Sequence, residues 1–114
     1  MADEWFMKKG DTLPVLDVIL RDGHDAVDLT SATSATFKMV SEAGLASGAS
    51  PKVSSAATIE TETGRVTYAW STGDTDTPGV YAAEIEVLYG TNTITYPNSG
   101  YYKITVLDDV TSGT

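Results

Sequence analysis

Residues Gly64–Val87 read GRVTYAW, STGDTDTP and GVYAAEIEV, which are two alternating segments on either side of a turn-rich connection. In its first arm the alternate residues Val66, Tyr68 and Trp70 are apolar or aromatic, and the second arm alternates in the same way from Tyr81 onward. A period of two is typical of β-strands with one buried face. Because the connecting residues are Gly, Asp, Thr and Pro, which favour turns, the pattern predicts two strands around one connection at the centre of an antiparallel sheet.

Short alternating segments of the same kind lie on both sides of this stretch. Further strands are predicted at Trp5–Lys9, Val15–Arg21, Val27–Leu29, Ala35–Val40, Ala57–Thr61, Thr93–Tyr96 and Tyr101–Leu107. Their inward-facing residues are predicted to include Leu16, Val18, Leu20, Phe37, Met39, Tyr102, Ile104 and Val106. Eight or nine short strands, spaced by about ten residues, predict an all-β protein, specifically an immunoglobulin-like antiparallel β-sandwich.

Turn signals separate the predicted strands. Asp22-Gly23 is a strong two-residue hairpin signal, because glycine tolerates the positive φ that a tight turn demands. The segment Asp76–Tyr81 is similar to the Asp-x-Gly-x-Tyr corner of immunoglobulin domains, with one extra residue before Gly79. This corner favours an immunoglobulin-like topology.

The segment Ser41–Ser55 differs from the rest of the chain, because Ser, Ala and Gly dominate it and no periodicity is left. It is predicted to be a mobile surface loop. A short amphipathic helix is the alternative, and Gly44 and Gly48 argue against it. The chain is expected to form a single domain over residues 1–114, with a core at about 5–107, the mobile loop at 41–55 and a polar tail at 108–114.

Composition excludes several classes of protein. The 114 residues are 41% hydrophobic and carry a net charge of −9, and only Lys8 and Lys9 form a basic pair. Nucleic acid is therefore not expected as a partner, since binding a phosphate backbone requires clustered cations. The acidic N-terminus lacks the apolar core of a signal peptide, and no apolar run reaches the length that spans a membrane. With no cysteine, disulfides and thiolate chemistry are excluded.

Two groups of residues could be considered for metal binding. His24 lies in a predicted hairpin tip with Asp28 nearby, but a single imidazole gives too few converging ligands. Asp74 and Asp76 have a spacing at which a loop could hold calcium, yet the further oxygen ligands and distal Glu of a calcium-binding loop are missing. Both groups are interpreted as solvated turns, and no metal or other cofactor is expected.

Catalytic residues are equally scarce. Ser-His-Asp chemistry would have to use His24, and no serine or threonine lies in a nucleophile-elbow context. Glu84 and Glu86 share one face of a strand, whereas glycosidase carboxylates face each other across a cleft. The chain is therefore not expected to be an enzyme.

Several apolar and aromatic side chains are hard to accommodate inside so small a sandwich. Tyrosine and tryptophan supply large contact areas at low entropy cost. Trp5–Met7 is predicted to lie at a sheet edge, where it either contacts a neighbouring protein or closes the domain's own core. The residues considered for a protein interface are Trp5, Phe6, Met7, Tyr89, Tyr96 and Tyr101.

Taken together, the longer motifs resemble one protein family. They are KKGDTLP (Lys8–Pro14), the Gly-x-Val-x-Tyr-x-Trp strand at Gly64–Trp70 and the Gly-x-Tyr that follows at Gly79. The chain resembles, from about Trp5 to Val106, the immunoglobulin-like N-terminal domain of tailed-phage baseplate upper proteins, which also occurs in other phage tail and virion proteins.

The resemblance implies a non-enzymatic virion protein, present in many copies of a symmetric assembly, whose partners are tail, baseplate or capsid subunits. Since the chain stops at Thr114, without the stalk and receptor-binding domain of the longer proteins, a small adaptor or decoration subunit is expected. The alternative is a carbohydrate- or host-receptor-binding sandwich that uses exposed Tyr and Trp. The expected location is the virion, after synthesis in the host cytoplasm.

Overall fold

The computed structural model describes residues 4–48, 50–60, 63–98 and 100–108. These residues form a β-rich body with principal extents of 49 × 30 × 25 Å. The elements are β1 (Glu4–Lys8), β2 (Leu16–Ile19), β3 (Arg21–Asp22), β4 (Asp25–Ala26), β5 (Ser34–Ser41), α1 (Glu42–Ser47), β6 (Val53–Ile59), β7 (Arg65–Tyr68), β8 (Gly79–Tyr89), β9 (Asn92–Tyr96) and β10 (Tyr102–Leu107).

The larger strands form one curled sheet in the order β1-β10-β8-β5-β6-β7-β2, and β9 pairs with the C-terminal half of β8. Strand β6 connects the two halves of the sheet. Its first residues, Val53–Ala57, pair with β5, whereas Thr58 and Ile59 pair with β7. The predicted all-β class is confirmed. The sheet is not purely antiparallel, however, because β1 and β10 run parallel.

The core lies between the inward faces of the curled sheet, and the predicted alternation is confirmed. At its centre Phe37 is fully buried. Its ring stacks on Tyr68 with centroids 4.6 Å apart and meets Trp70 edge-on at 5.5 Å. The predicted inward residues are all buried, namely Leu16, Val18, Leu20, Phe37, Met39, Val66, Tyr68, Trp70, Tyr81, Ala83, Ile85, Val87, Tyr102, Ile104 and Val106.

The two arms of Gly64–Val87 do not pair with each other, so the predicted central hairpin is wrong. Strand β7 pairs with β2 and β6, and β8 pairs with β5, β9 and β10. The loop between β7 and β8 is hydrogen-bonded to residues that follow β1. Buried Thr75 donates through its hydroxyl to the carbonyl oxygen of Asp11 at 2.8 Å and accepts from Gly10 N–H at 2.9 Å. These two hydrogen bonds attach the loop before β8 to the turn that follows β1.

The loop predicted at Ser41–Ser55 contains a helix and the start of a strand, so the prediction of a segment without regular structure is wrong. The Ser41 side chain caps α1 by accepting from Gly44 N–H at 2.9 Å, and Gly48 ends the helix with a φ of 73°. A left-handed glycine at a helix C-terminus is a common stop. Gly48 therefore terminates the helix rather than preventing it, and β6 begins at Val53.

The predicted strand at Val27–Leu29 is absent from the described structure. The Asp22-Gly23 turn does form, and it closes the short hairpin of β3 and β4. After this hairpin Val27 N–H donates to the Leu20 carbonyl at 2.9 Å, and Asp28 accepts from Thr30 N–H at 3.0 Å. Such a bond from a backbone N–H to an aspartate two residues earlier is typical of a turn. Of the predicted polar tail, residues 109–114 lie outside the described residues.

Candidate interaction surface

Strand β1 lies at one end of the sheet and is partly exposed. Within the described residues only β10 pairs with it, so its other edge is free. Its side chains alternate: Met7 is buried and Trp5 is half-buried, whereas Glu4, Phe6 and Lys8 are exposed. Phe6 is 61% exposed at the middle of the strand. An exposed apolar strand edge is a template for pairing with another chain, which proteins normally cover or charge.

The hydrogen bond after the strand shows which backbone atoms face β10. Lys9 N–H donates to the Leu107 carbonyl at 2.7 Å. Because successive residues of a strand direct their N–H and C=O groups to opposite edges, Met7 and Trp5 share the direction of Lys9. The backbone groups of Glu4, Phe6 and Lys8 therefore point toward the free edge. The same three residues have their side chains on the exposed face.

Trp5 has a role in the domain's own packing. Its ring meets Tyr102 edge-on with centroids 5.7 Å apart, and it packs against the core cluster. Met7 is 6% exposed and belongs to that cluster. Trp5 and Met7 therefore help to close the domain's own core, whereas Phe6 faces outward, where a neighbouring protein could contact it.

The strand at the opposite end of the sheet differs from β1. Strand β2 carries Asp17 on its exposed face, and Arg65 donates to this carboxylate through two nitrogens, at 3.0 and 2.9 Å. A charged pair of this kind protects an edge from further strand pairing. At β1 the corresponding central residue is Phe6, which carries no charge. The free edge of β1 is therefore the better candidate for an interface.

Tyr89 and Tyr96 lie outside β1, in the hairpin of β8 and β9. Tyr96 is 4% exposed and Tyr89 is half-buried. Burial, reinforced by a hydrogen bond with Tyr89, raises the pKa of Tyr96 to about 12. Tyr96 is thus a core residue rather than an exposed contact residue. The six proposed residues do not form one patch.

Tyr101 lines a second candidate site, a groove of about 240 Å³ between α1 and the outer face of β5 and β8. Its hydroxyl donates to Glu42 at 2.7 Å, and this hydrogen bond raises the pKa of Tyr101. The groove is lined by Lys38, Met39, Val40, Leu45, Pro51, Ala82, Glu84, Gly100 and Tyr101. Its walls are largely apolar, with carboxylates at Glu42 and Glu84 nearby.

The aspartates of the loop before β8 are held in separate hydrogen bonds. Asp74 accepts from the Tyr68 hydroxyl at 2.5 Å and from Ser71 N–H at 2.8 Å. Burial and this contact with Asp74 raise the pKa of Tyr68 to about 12. Asp76 instead accepts from Lys52 at 2.7 Å, which lowers the pKa of Asp76 and raises that of Lys52. The two carboxylates therefore fasten different parts of the loop.

The remaining residues considered for chemistry are dispersed. His24 is exposed in the β3–β4 hairpin, and Glu86 pairs with Lys38 at 3.0 Å while Glu84 is exposed. In residues 4–48, 50–60, 63–98 and 100–108, no three His, Cys, Asp or Glu side chains are close enough to share a metal ion. No helix in this part of the chain has the length and apolar character needed to cross a membrane.

Comparisons with known proteins give no relative: no family model, no curated protein and no solved structure matches this chain. Among the described residues, the free edge of β1 offers backbone groups without a strand partner, and the groove beside α1 offers a largely apolar wall.

Sequence reasoning missed the groove. Its wall is α1, in a segment that was expected to be a loop, and the capping signal at Ser41 was the available indication. It also missed the buried Thr75 and the separation of Asp74 from Asp76, because hydrogen bonds to residues distant in sequence leave no local pattern.

Proposed function

We propose that this chain is a non-enzymatic structural protein of a phage virion, a small immunoglobulin-like sandwich that attaches to the tail, baseplate or capsid. It acts as an adaptor or decoration subunit and contacts its neighbour through the free edge of β1. The observation that carries the proposal is the exposed Phe6 at the centre of this edge strand. The virion assignment is supported by the resemblance of the Lys8–Pro14 and Gly64–Trp70 motifs to the immunoglobulin-like domain of phage baseplate proteins.

The strand order supports the immunoglobulin-like part of the proposal. In immunoglobulin domains the C, F and G strands form one sheet and the A, B, E and D strands form the other. Here β5, β8 and β10 are neighbours, as C, F and G are, and β2, β7 and the end of β6 correspond to B, E and D. The Tyr81 hydroxyl donates to the Thr77 carbonyl at 2.6 Å, as in a tyrosine corner.

Attachment through an edge strand fits a protein held in a lattice. Strand addition supplies main-chain hydrogen bonds, and side chains on alternate positions give specificity. A five-residue strand makes only a modest contact. Many copies on a symmetric particle raise the effective concentration, so that modest contacts hold together.

The groove beside α1 supports a second candidate function, binding of a carbohydrate or host receptor. Tyr101 offers a ring face, and Glu42 and Glu84 offer carboxylate acceptors near an apolar floor. Leu45 is 49% exposed at this groove. The two candidates use different surfaces, so single substitutions separate them.

Particle incorporation tests the proposed function. In a phage that lacks its own copy of this protein, wild-type chain and variants are supplied during infection, and purified particles are analysed by mass spectrometry. Phe6→Asp is expected to be lost from particles, because a charge at the centre of β1 blocks strand pairing. Leu13→Asp is the matched control, since Leu13 is 71% exposed outside the strands.

Two results would contradict the proposal. Absence of the wild-type chain from particles would exclude a virion role. Incorporation of Phe6→Asp at the wild-type level would exclude attachment through β1. Loss of Leu45→Asp alone, together with wild-type binding to a glycan array, would favour the groove instead. Melting temperatures of the purified variants show that each protein is folded.

A further inference from the structure

The exposed face of β1 carries opposite charges at equal distances from its central residue. Glu4 and Lys8 lie two residues on either side of Phe6, and all three side chains are exposed. Glu4 lies 3.7 Å from Lys103 of the neighbouring strand, and Lys8 has no ion pair among the described residues. A strand with an acid at one end, a base at the other and an aromatic ring at the centre is complementary to a reversed copy of itself.

The backbone of β1 is oriented for such a pairing. Antiparallel strands alternate between residue pairs that exchange two hydrogen bonds and pairs that exchange none. Phe6 directs its N–H and C=O groups to the free edge, by the alternation that the bond from Lys9 to Leu107 fixes. A two-fold axis at Phe6 therefore makes Phe6 and its symmetry copy a hydrogen-bonded pair, with Glu4 and Lys8 of opposite copies forming the next pairs.

We propose that β1 is a self-association surface, on which a second copy of this chain adds its own β1 antiparallel about a two-fold axis through Phe6. Each dimer then contains two cross-strand pairs of Glu4 with Lys8 and one pair of Phe6 rings. The sheets of the two copies become one continuous sheet through their β1 strands. This inference rests on the proposed attachment through β1 and names the partner as another copy of the chain.

The pleat and the charges select this arrangement over the other ways of pairing two β1 strands. In a parallel pair the two free edges could meet only if one copy were turned over about its strand axis, which would place the Glu4, Phe6 and Lys8 side chains of the two copies on opposite faces of the sheet. A slip of one residue would move the side chains of one strand to the opposite face, and Trp5 and Met7 are already committed to the core. The antiparallel register centred on Phe6 pairs Glu4 with Lys8 and keeps the exposed side chains of both strands on the same face.

The turn after the strand already uses one backbone acceptor of the free edge. After Lys8 the chain turns, with Asp11 N–H donating to the Lys8 carbonyl at 3.0 Å and Gly10 N–H donating to Thr75 at 2.9 Å. The Lys8 N–H group remains directed to the free edge and can donate to the Glu4 carbonyl of the second copy. The ladder is therefore limited to the residues from Glu4 to Lys8.

Charge exchange between the two positions tests the proposal. Self-association of the purified full chain is measured by analytical ultracentrifugation at low salt, up to about 1 mM protein, a concentration at which even weak dimers are populated. Lys8→Glu is expected to weaken association by about tenfold or more, because each dimer gains two like-charge pairs. The double variant Glu4→Lys with Lys8→Glu is expected to restore it to within a few-fold of wild type.

Arg21→Glu is the matched control for Lys8→Glu. It makes the same change in net charge on the exposed strand β3, away from the edge, and association is expected to remain at the wild-type level. A monomeric wild-type chain at the highest concentration would overturn the proposal. So would a double variant that associates as weakly as Lys8→Glu.

The particle experiment separates this inference from the proposed function. If the wild-type chain is incorporated through β1 but remains monomeric in solution at every concentration, the partner of β1 is a different virion protein and self-association is wrong. If the wild-type chain self-associates but is absent from particles, the proposed virion role is wrong and the proposed dimer is supported.

Discussion

Replacing Phe37 with alanine is expected to remove a large part of the stability of this protein. The Phe37 side chain is fully buried and contacts Tyr68 and Trp70 through ring stacking and an edge-on contact. Truncating a buried phenylalanine typically costs about 3–5 kcal/mol, because the contacts are lost and a cavity remains. Domains of this size are stable by roughly 5–15 kcal/mol. Urea unfolding of wild type and variant measures the difference.

Phe6→Ala is the matched control for this prediction, because it makes the same chemical change on an exposed side chain. Phe6 is 61% exposed, and surface substitutions usually change stability by less than about 0.5 kcal/mol. We expect the free energy of unfolding of Phe6→Ala to stay close to that of wild type. Equal losses in the two variants would mean that the assignment of inward and outward faces is incorrect.

Gly64→Ala is expected to have the second-largest effect. Gly64 has a φ of 74°, and an added Cβ would lie 2.9 Å from the Leu20 carbonyl oxygen and 3.1 Å from Val27 N. The left-handed conformation alone costs an L-residue about 1–2 kcal/mol. The neighbouring atoms are backbone, so relieving the clash requires moving the segment in which Leu20 N–H donates to the Gly64 carbonyl. We expect a total loss of about 3 kcal/mol or more, measured by thermal and urea unfolding.

Gly90→Ala separates the two contributions. Gly90 lies in the turn between β8 and β9 with a φ of 65°, and an added Cβ would meet nothing within 4 Å. Its expected cost is therefore the conformational part alone, about 1–2 kcal/mol. If Gly64→Ala cost no more than Gly90→Ala, the close approach of residues 20 and 27 to Gly64 would be disproved.

Much of the core could be predicted from the sequence, because burial on one face of a strand imposes a period of two on the residues themselves. The side chains of Val66, Tyr68, Ile104 and Val106 follow this rule and are buried. Strand pairing could not be predicted in the same way. Alternation says which face of a strand is inside but not which strand lies beside it. The arms at Gly64–Trp70 and Gly79–Val87 therefore resembled a hairpin, although β7 and β8 lie in different halves of the sheet.

The candidate interface was predictable only in part. An apolar strand with charged flanks indicated an edge, and β1 does lie at the end of the sheet. The sequence could not divide its residues between core and surface, because the direction of the pleat depends on the register with β10. Once Trp5 is paired with Ile104 and Met7 with Val106, Phe6 is left outside. The parallel pairing of the first and last strands depends on contacts between residues about 100 positions apart and has no local signal.

Pairing through the free edge of β1 is tested most directly by residue-resolved amide hydrogen exchange along β1, measured at low and at high protein concentration. At low concentration we predict that the amides of Met7 and Lys9, which point toward β10, are protected, whereas those of Phe6 and Lys8 exchange rapidly. At high concentration Phe6 and Lys8 should gain protection as the second strand is added, and Lys8→Glu should prevent this gain. Rapid exchange of Phe6 at every concentration, or protection of Phe6 in the dilute monomer, would contradict a free strand edge that pairs with another copy.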